Sequence, residues 1–578
     1  MPANRPDDPL ALVHLGWDHL QHQRPLAAWA CWRRALQVEP EYKAATRALH
    51  VLANAGDLPE AAKLEYKFLT TADADRRGRW DAAFRGRNMA DLAVASEAFG
   101  GLADSDEGDG RARYNQGICL AWLGRNGEAV EALDRAVWTL GTEEREVAIR
   151  AWSLAEILRQ GGGAEPLADD LNHVATLTWD DGPDPSGFLD DRPDVRGIPN
   201  PVDPVTNEPR LAEARLHEWL DLPPAPGAAS SLDVRRVRAT VVRSARWARF
   251  SGLDPSLLES VLVEVAALVG DRVASIRREA TPLPLAFLDA AVWAIRIPEG
   301  TDPELANSLN RAAVERYYEA SWIHRPRRGL GGLSPIEAAG KLAGGDLGLG
   351  LRLEAVVRVR EQLGERPTTA LLYQGYPFDR LRRRLGLATT EPEAIDPSDP
   401  TCMAPHDLDR LDPSGLDDFA LADAYESAAA LGDDRRTARF AATLAAREPS
   451  ALARLDVPAL FATLIRAELA AEATGGALRR VDQALAVDEA LTGGRDARKY
   501  RTWRAEVLVR AGDPEAALLA YDPLLKDPEP DPRLALDAAE LLLDSGFDDQ
   551  ARQLARLAVE LAEEVGDRTI ADRAEGLF

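Results

Sequence analysis

The chain has 578 residues, 69 Lys+Arg against 95 Asp+Glu for a net charge of −26, and 46% hydrophobic residues. That apolar content supports several packed domains and excludes global disorder, while the acidic total opposes whole-chain attraction to nucleic acid or anionic membrane. No apolar run approaches the ~18 residues of a membrane span, and Cys31, Cys119 and Cys402 are too scattered for a disulfide framework or a zinc motif.

Residues 1–178 read as a helical-repeat array. In 9–42, Leu12, Leu15, Gly16 and His19 share one helical face, a polar turn follows at His22-Gln23-Arg24-Pro25, and Ala28, Trp32 and Ala35 recur at helical spacing before Pro40. Later units are expected to turn at Gly56, near Ala90 and at Gly124. Each is followed five residues on by an alanine, and Ala61, Ala95 and Ala129 stand 34 apart. A further helix pair is expected over 143–178, turning at Gly161-Gly162-Gly163. The opening residues lack a signal peptide's unbroken apolar core, which with the cysteine usage points to a reducing, cytoplasmic setting.

Residues 179–231 are rich in Pro, Gly and Asp and read as a linker with one short helix near 210–220. The segment 232–387 reads as a separate helical domain, with helices over 234–250, 256–269, 283–295 and 303–323 and no strand-type alternation. It is mildly basic: 233–387 holds 24 Lys+Arg against 18 Asp+Glu, so the remainder carries −32. Ser334-Pro335-Ile336-Glu337 has the order of a capping box. The spacing of Trp322, Pro326, Leu330, Gly331, Gly332, Ser334, Pro335 and Glu337 resembles an element of the Xre/MbcA/ParS-type antitoxin domain, a likeness that implies a protein-binding module. Residues 388–415 read as a second linker.

Residues 416–578 read as the second array, with turns near Gly432, at Gly475-Gly476, and at Gly512 and Gly546. Leu508, Gly512 and Ala517 recur 34 residues later as Leu542, Gly546 and Ala551. Together with 9–42 and 110–143, the units 498–531 and 532–565 resemble the tetratricopeptide repeat (TPR). The implied fold is all-α: two TPR-like arrays, α-solenoids, flanking a non-repeat helical middle domain. The implied role is a scaffold or adaptor that binds protein segments in the groove lined by first helices.

Groove candidates are the polar and aromatic first-helix positions Trp17, Arg113, Asn115, Arg501 and Arg504. Val13 and Trp17 stand where a carboxylate clamp would need charge or amide groups, so a chaperone-tail clamp is not expected. Arg325, Arg327, Arg328, Arg380, Arg382, Arg383 and Arg384 are candidate contacts for an acidic partner, nucleic acid included. Pairing inside the fold is the favoured reading of these arginines. The partner is expected to be one or more proteins, with nucleic acid the less favoured class and membrane excluded. No HExxH, Walker A, CxxC or GxSxG motif occurs, and His14, His19 and His22 do not share a face. Neither catalysis, a metal nor a cofactor is expected; the alternatives to a scaffold are a nucleic-acid-associated regulator using the basic middle domain and, last, an enzyme with an unrecognised central site.

Overall fold

The computed structural model describes residues 8–577 except 72–76, 86–90, 106–108, 142–143, 162–166, 168, 180–186, 200–213, 222–234, 270–272, 280–282, 285–286, 288–289, 294, 298–299, 343–344, 392–395, 397, 527–530 and 567. Two compact units divide the chain, Met1–Pro392 and Glu393–Phe578. Most described residues are helical, and none of the described helices is long and apolar enough to cross a membrane.

The first unit opens with α1 (Pro9–Gln21), α2 (Pro25–Val38), α3 (Lys43–Ala53), α4 (Arg77–Arg85), α5 (Leu92–Ser105), α6 (Gly110–Trp122), α7 (Asn126–Leu140) and α8 (Arg145–Gln160). The pairs α1–α2 and α6–α7 share one turn geometry. Gln23 and Gly124 take positive φ (59° and 75°), and the next amide, of Arg24 or Arg125, donates to the carbonyl five residues back, His19 or Leu120. This is a Schellman-type close, which satisfies carbonyls that a helix end leaves orphaned. Seven residues before each turn residue stands a glycine, and nine after it a bulky side chain. A Cβ on Gly16 would lie 2.2 Å from Trp32 Nε1, and one on Gly117 2.7 Å from Leu133 Cγ. The missing side chain is what lets the paired helices close.

The second expected pair is not a pair. Gly56 follows α3, but only a single 3-10 turn over Glu60–Ala62 comes after it, and residues 64–71 carry neither helix nor strand. Tertiary partners override local helix propensity here. Ala61 and Ala62 are buried, the Tyr66 hydroxyl donates to the Ala61 carbonyl at 2.8 Å, and Leu69 is held by Asn115. The turn expected near Ala90 lies outside the described residues, as do Gly162 and Gly163.

The pair expected over 143–178 is split. α8 is its first helix, but the chain then leaves for a β-sheet, beginning with β1 (Leu171–Trp179). What packs against α8 as the second helix is α14 (Leu347–Gly364). Its Leu351, Ala355, Val359 and Leu363 enter the same buried core as the N-terminal helices. Residues 161–346 are thus inserted between the two helices of one pair.

The insert continues through α9 (Phe188–Asp191), β2 (Val195–Ile198), β3 (Arg215–Leu220), β4 (Arg235–Ser244), β5 (Trp247–Gly252), α10 (Pro255–Val269), β6 (Val273–Arg278), β7 (Leu283–Pro284), α11 (Ala290–Trp293), β8 (Ile295–Arg296), α12 (Pro303–Arg316) and α13 (Pro335–Leu342). Its sheet has the order β2-β3-β4-β5-β1-β6, with antiparallel pairs throughout. β7 adds to β1 and β8 to β4. Ala175, Leu177, Ala239, Val241, Ala248 and Phe250 point to one face, which Leu258, Val261, Leu262 and Val265 of α10 cover.

This sheet corrects several expectations. Of the helix expected over 234–250, residues 235–250 instead belong to the β4–β5 hairpin, and residues 215–220 of the short helix expected near 210–220 are β3. The linker 179–231 contributes β2 and β3 to the sheet, so its expected edges cut through a folded layer. Among the described residues of 283–295 only α11 is helical. The helices over 256–269 and from 303 onward do form. Arg235, Arg238, Arg246 and Arg249 lie on two strands and their turn, not along one helix. Val237, Thr240, Val241 and Val242 favour pleated backbone, and arginines of β4 find partners on neighbouring elements. Arg238 donates to Glu264 of α10, and buried Arg243 reaches His217 at 3.0 Å and Asp190.

After α14 come α15 (Ala370–Tyr373) and α16 (Phe378–Arg384). The Asp379 carboxylate accepts from the Thr390 and Glu391 amides, both at 2.8 Å, so the start of the expected 388–415 linker is tied to the first unit. The capping box forms: Glu337 Oε2 accepts from the Ser334 amide at 2.8 Å, and α13 begins at Pro335.

The second unit contains α17 (Pro405–Leu408), the pairs α18 (Asp418–Ala430) with α19 (Asp434–Ala445), α20 (Val457–Ala470) with α21 (Thr474–Thr492), α22 (Ala497–Arg510) with α23 (Pro514–Leu525), and α24 (Pro532–Asp544) with α25 (Asp548–Val565), then α26 (Arg568–Glu575). The same turn recurs at Gly432, Glu472, Gly512 and Gly546, with φ of 65°, 55°, 77° and 81°. Gly475 and Gly476 instead lie in the first turn of α21, a correction to the expected turn. Five residues after each turn stand Thr437, Ala477, Ala517 and Ala551, all buried. Asp417, Asp433, Asp456, Asp513 and Asp531 cap helix N-termini, each accepting from an amide three residues on. Part of the acidity is therefore structural.

Candidate interaction surface

The turn residue of each pair sets a register, and it locates one exposed stripe on each first helix of the second unit. The stripe falls 13, 9, 6 and 2 residues before the turn. It comprises Phe419, Asp423, Glu426 and Ala430 on α18, and Ala459, Thr463, Arg466 and Ala470 on α20. On α22 it is Lys499, Trp503, Glu506 and Arg510, and on α24 Arg533, Asp537, Glu540 and Asp544; of these positions only Thr463 is buried. The remaining faces of these helices are largely buried in the repeat core, with Ala505, Tyr521, Leu536, Ala539 and Leu542 among its residues.

The stripe is acidic with aromatic points. Phe419 is 71% exposed, and the Arg454 guanidinium lies 5.2 Å from its ring centroid while binding Asp423. Trp503 is half-buried, with Lys499 Nζ 5.3 Å from its ring and Tyr500 edge-on at 5.4 Å. Two carboxyls are held above their ordinary range. Burial raises Glu426, with Arg454 opposing and Asp423 reinforcing; burial raises Glu506, with Arg510 opposing and Asp537 reinforcing. Each is a partly desolvated carboxylate beside a second carboxylate, an arrangement that an added cation relieves. Glu540 is already paired with Arg573 of α26 at 2.8 Å.

The expected groove residues divide. Trp17 stands in stripe register on α1, half-buried against Trp32 with centroids 5.0 Å apart. Asn115 is also in register on α6 but fully buried, its carboxamide bound to Leu69. Arg113 is off the stripe and pairs with Asp104. Arg501 and Arg504 are off the stripe too, and Arg504 binds Asp482 of α21. Lys499, Trp503, Glu506 and Arg510 were missed, although counting back from Gly512 finds them.

The expected anion contacts of the first unit are drawn into its fold. Arg327 is completely buried, donating to Asp170 at 3.0 Å, its guanidinium 5.2 Å from the Trp322 ring. Arg360 also reaches Asp170, at 3.3 Å. Burial alone would raise Asp170, but Arg327, Arg360 and Arg325 overcome it and hold the carboxyl well below its usual range. Its neighbour Asp169 is pushed up to about 6 by burial and the nearby Glu156. Arg325 stands 3.7 Å from Asp170, and Arg328 3.8 Å from Asp169. Arg380 binds Glu315 at 3.0 Å and Glu319 at 3.1 Å, and Arg382 binds Glu354 at 2.7 Å and Glu361. Arg384 is buried and Arg383 half-buried. On α8, Arg159 binds Asp134 at 2.7 Å. These pairs link α7, α8 and α14 to the start of β1 and the loop before α13.

Among the described residues no cluster of three His, Cys, Asp or Glu could hold a metal ion. No protein-family profile matches the chain, and no curated protein matches it. Solved structures similar to it include the TPR domain of P58(IPK), at 12% identity over 87% of this chain and 98% of that one, TM-score 0.18. Yeast Tom70 is 12% identical over 98% and 95%, TM-score 0.21, and the APC/C hetero-tetramer Cut9-Hcn1 is 11% identical over 99% and 96%, TM-score 0.21. Scores this low describe no common overall path; the repeat assignment rests on the recurring turns and their registers.

Proposed function

We propose that this protein is a non-catalytic interaction scaffold whose second unit binds a basic segment of a protein partner along the first-helix stripes. One observation carries the reading: Glu426, exposed, and Glu506, half-buried, each stand beside another carboxylate, Asp423 or Asp537, that raises them, with Phe419 and Trp503 at hand for apolar contact. A lysine or arginine between such carboxylates relieves their repulsion, and a flanking apolar side chain covers the ring. The unit as a whole, with 21 Lys+Arg against 38 Asp+Glu over 393–578, steers such a partner in. Nucleic acid is not favoured, because the arginines that would meet phosphate are largely paired or buried within the first unit.

A labelled lysine–leucine peptide of about twelve residues, titrated into the full chain, tests this. Binding at low salt that weakens several-fold by roughly 0.3 M salt, and is lost in Glu506→Lys/Asp537→Lys, is the expected result. Binding that ignores both salt and the charge reversal contradicts it.

A further inference from the structure

The first unit presents the same helix face as the second, but its own chain lies on it. Counting back from Gly124, the α6 stripe is Arg111, Asn115, Ile118 and Trp122, and the last three are buried. Residues 68–70 cross this stripe, running opposite to α6. Phe68 packs 5.4 Å from the Trp122 ring and 5.4 Å from Phe99. The Leu69 amide donates to Asn115 Oδ1 at 2.8 Å, and Asn115 Nδ2 donates back to the Leu69 carbonyl at 2.9 Å. Arg111 Nη1 donates to the Thr70 carbonyl at 2.6 Å.

Three features mark this stretch as an occupant and not a core element. The contacts of Leu69 with Asn115 and of Thr70 with Arg111 are to backbone groups, so they would hold any chain of similar course. Lys67 and Thr70 are exposed, and Phe68 and Leu69 only half-buried. It also replaces the second helix that the repeat pattern calls for after Gly56.

We propose that residues 67–71 are an in-cis, displaceable occupant of the α6 face, an autoinhibitory contact that closes the first unit to partners until the stretch leaves. The partner that fits is an extended segment with an aromatic residue at the place of Phe68 and an aliphatic one after it. A carboxamide that both donates to and accepts from one residue selects for open backbone, and the Trp122–Phe99 notch selects for the ring.

The probe is the labelled peptide Glu65–Thr71 of this chain, added to the full-length protein. Phe68→Ala with Leu69→Pro removes the ring and the amide donor of the resident stretch. It is expected to bind the probe at least roughly tenfold more tightly than the parent chain, because occlusion lowers apparent affinity by the open fraction. Adding Asn115→Ala should abolish that gain. A folded double variant that does not bind the probe, or parent and variant binding it equally, overturns the proposal. If the double variant does not fold, hydrogen exchange on the parent chain decides. Saturating probe should speed exchange of the 66–70 amides, and unchanged exchange overturns the proposal.

Discussion

Asn115 holds both backbone groups of Leu69, accepting from its amide at 2.8 Å and donating to its carbonyl at 2.9 Å, though 46 residues separate them. A residue whose register marks it as groove-lining is thereby bound to its own chain. Asn115→Ala leaves the Leu69 amide and carbonyl without partners beneath Phe68. The expected loss is ~1–3 kcal/mol, read as a lower denaturation midpoint of the first unit. An unchanged midpoint would show the contact to be incidental.

The split helix pair has a direct consequence. Residues 1–178 alone should not fold cooperatively, because Leu351, Ala355, Val359 and Leu363 of α14 complete the core around α8. Residues 1–392 should melt in a single cooperative transition with far-ultraviolet helix signal lost at one midpoint. A sharp transition from the 1–178 fragment would refute the insertion.

The repeat turns were legible because they constrain single residues. Gly16 against Trp32 and Gly117 against Leu133 need a missing side chain, and Gly124, Gly432, Gly512 and Gly546 need positive φ, so the period survives in glycine and alanine. Gln23 and Glu472 fill the same turn without glycine, which is why the Glu472 pair was misplaced onto Gly475. The sheet was not legible. Its strands carry arginines whose partners, such as Glu264 and Asp190, come from distant segments, so no clean alternation marks them. Nor could the pairing of α8 with α14 be read, since about 200 residues separate their first residues, Arg145 and Leu347. The sequence placed Asn115 on the correct helix face; what it could not show was that Leu69 already sits there.

Replacing Ala517 with leucine should overpack α22 against α23, costing ~1–3 kcal/mol, since Ala517 is fully buried in their shared core. The measurement is the denaturation midpoint of residues 393–578.

Arg327 and Asp170 form a buried pair, and Arg327→Ala leaves the carboxylate only Arg360 and the more distant Arg325. A loss of ~3–5 kcal/mol is expected, partly recovered by Asp170→Ala in the same chain. Recovery distinguishes a charge left short of partners from a simple packing loss.

Asp169, pushed up to about 6, gives a pH test of opposite sign to the usual paired carboxylate. Its charged form is disfavoured in the fold, so its contribution to stability improves as pH falls through about 6 toward the unfolded value near 4. Asp169→Asn should therefore stabilise the first unit at pH 7.5, by roughly 1–2 kcal/mol, and have little effect near pH 4. A destabilised variant at pH 7.5 would contradict the assignment.

The most direct measurement of the central claim, that the second unit's stripe is the partner-binding face, is hydroxyl-radical footprinting of the full chain with and without the lysine–leucine probe. Phe419 and Trp503 should lose reactivity on binding, while Trp138 of the first unit, 61% exposed, should not change. Protection of Trp138 with Phe419 and Trp503 unchanged would contradict the account.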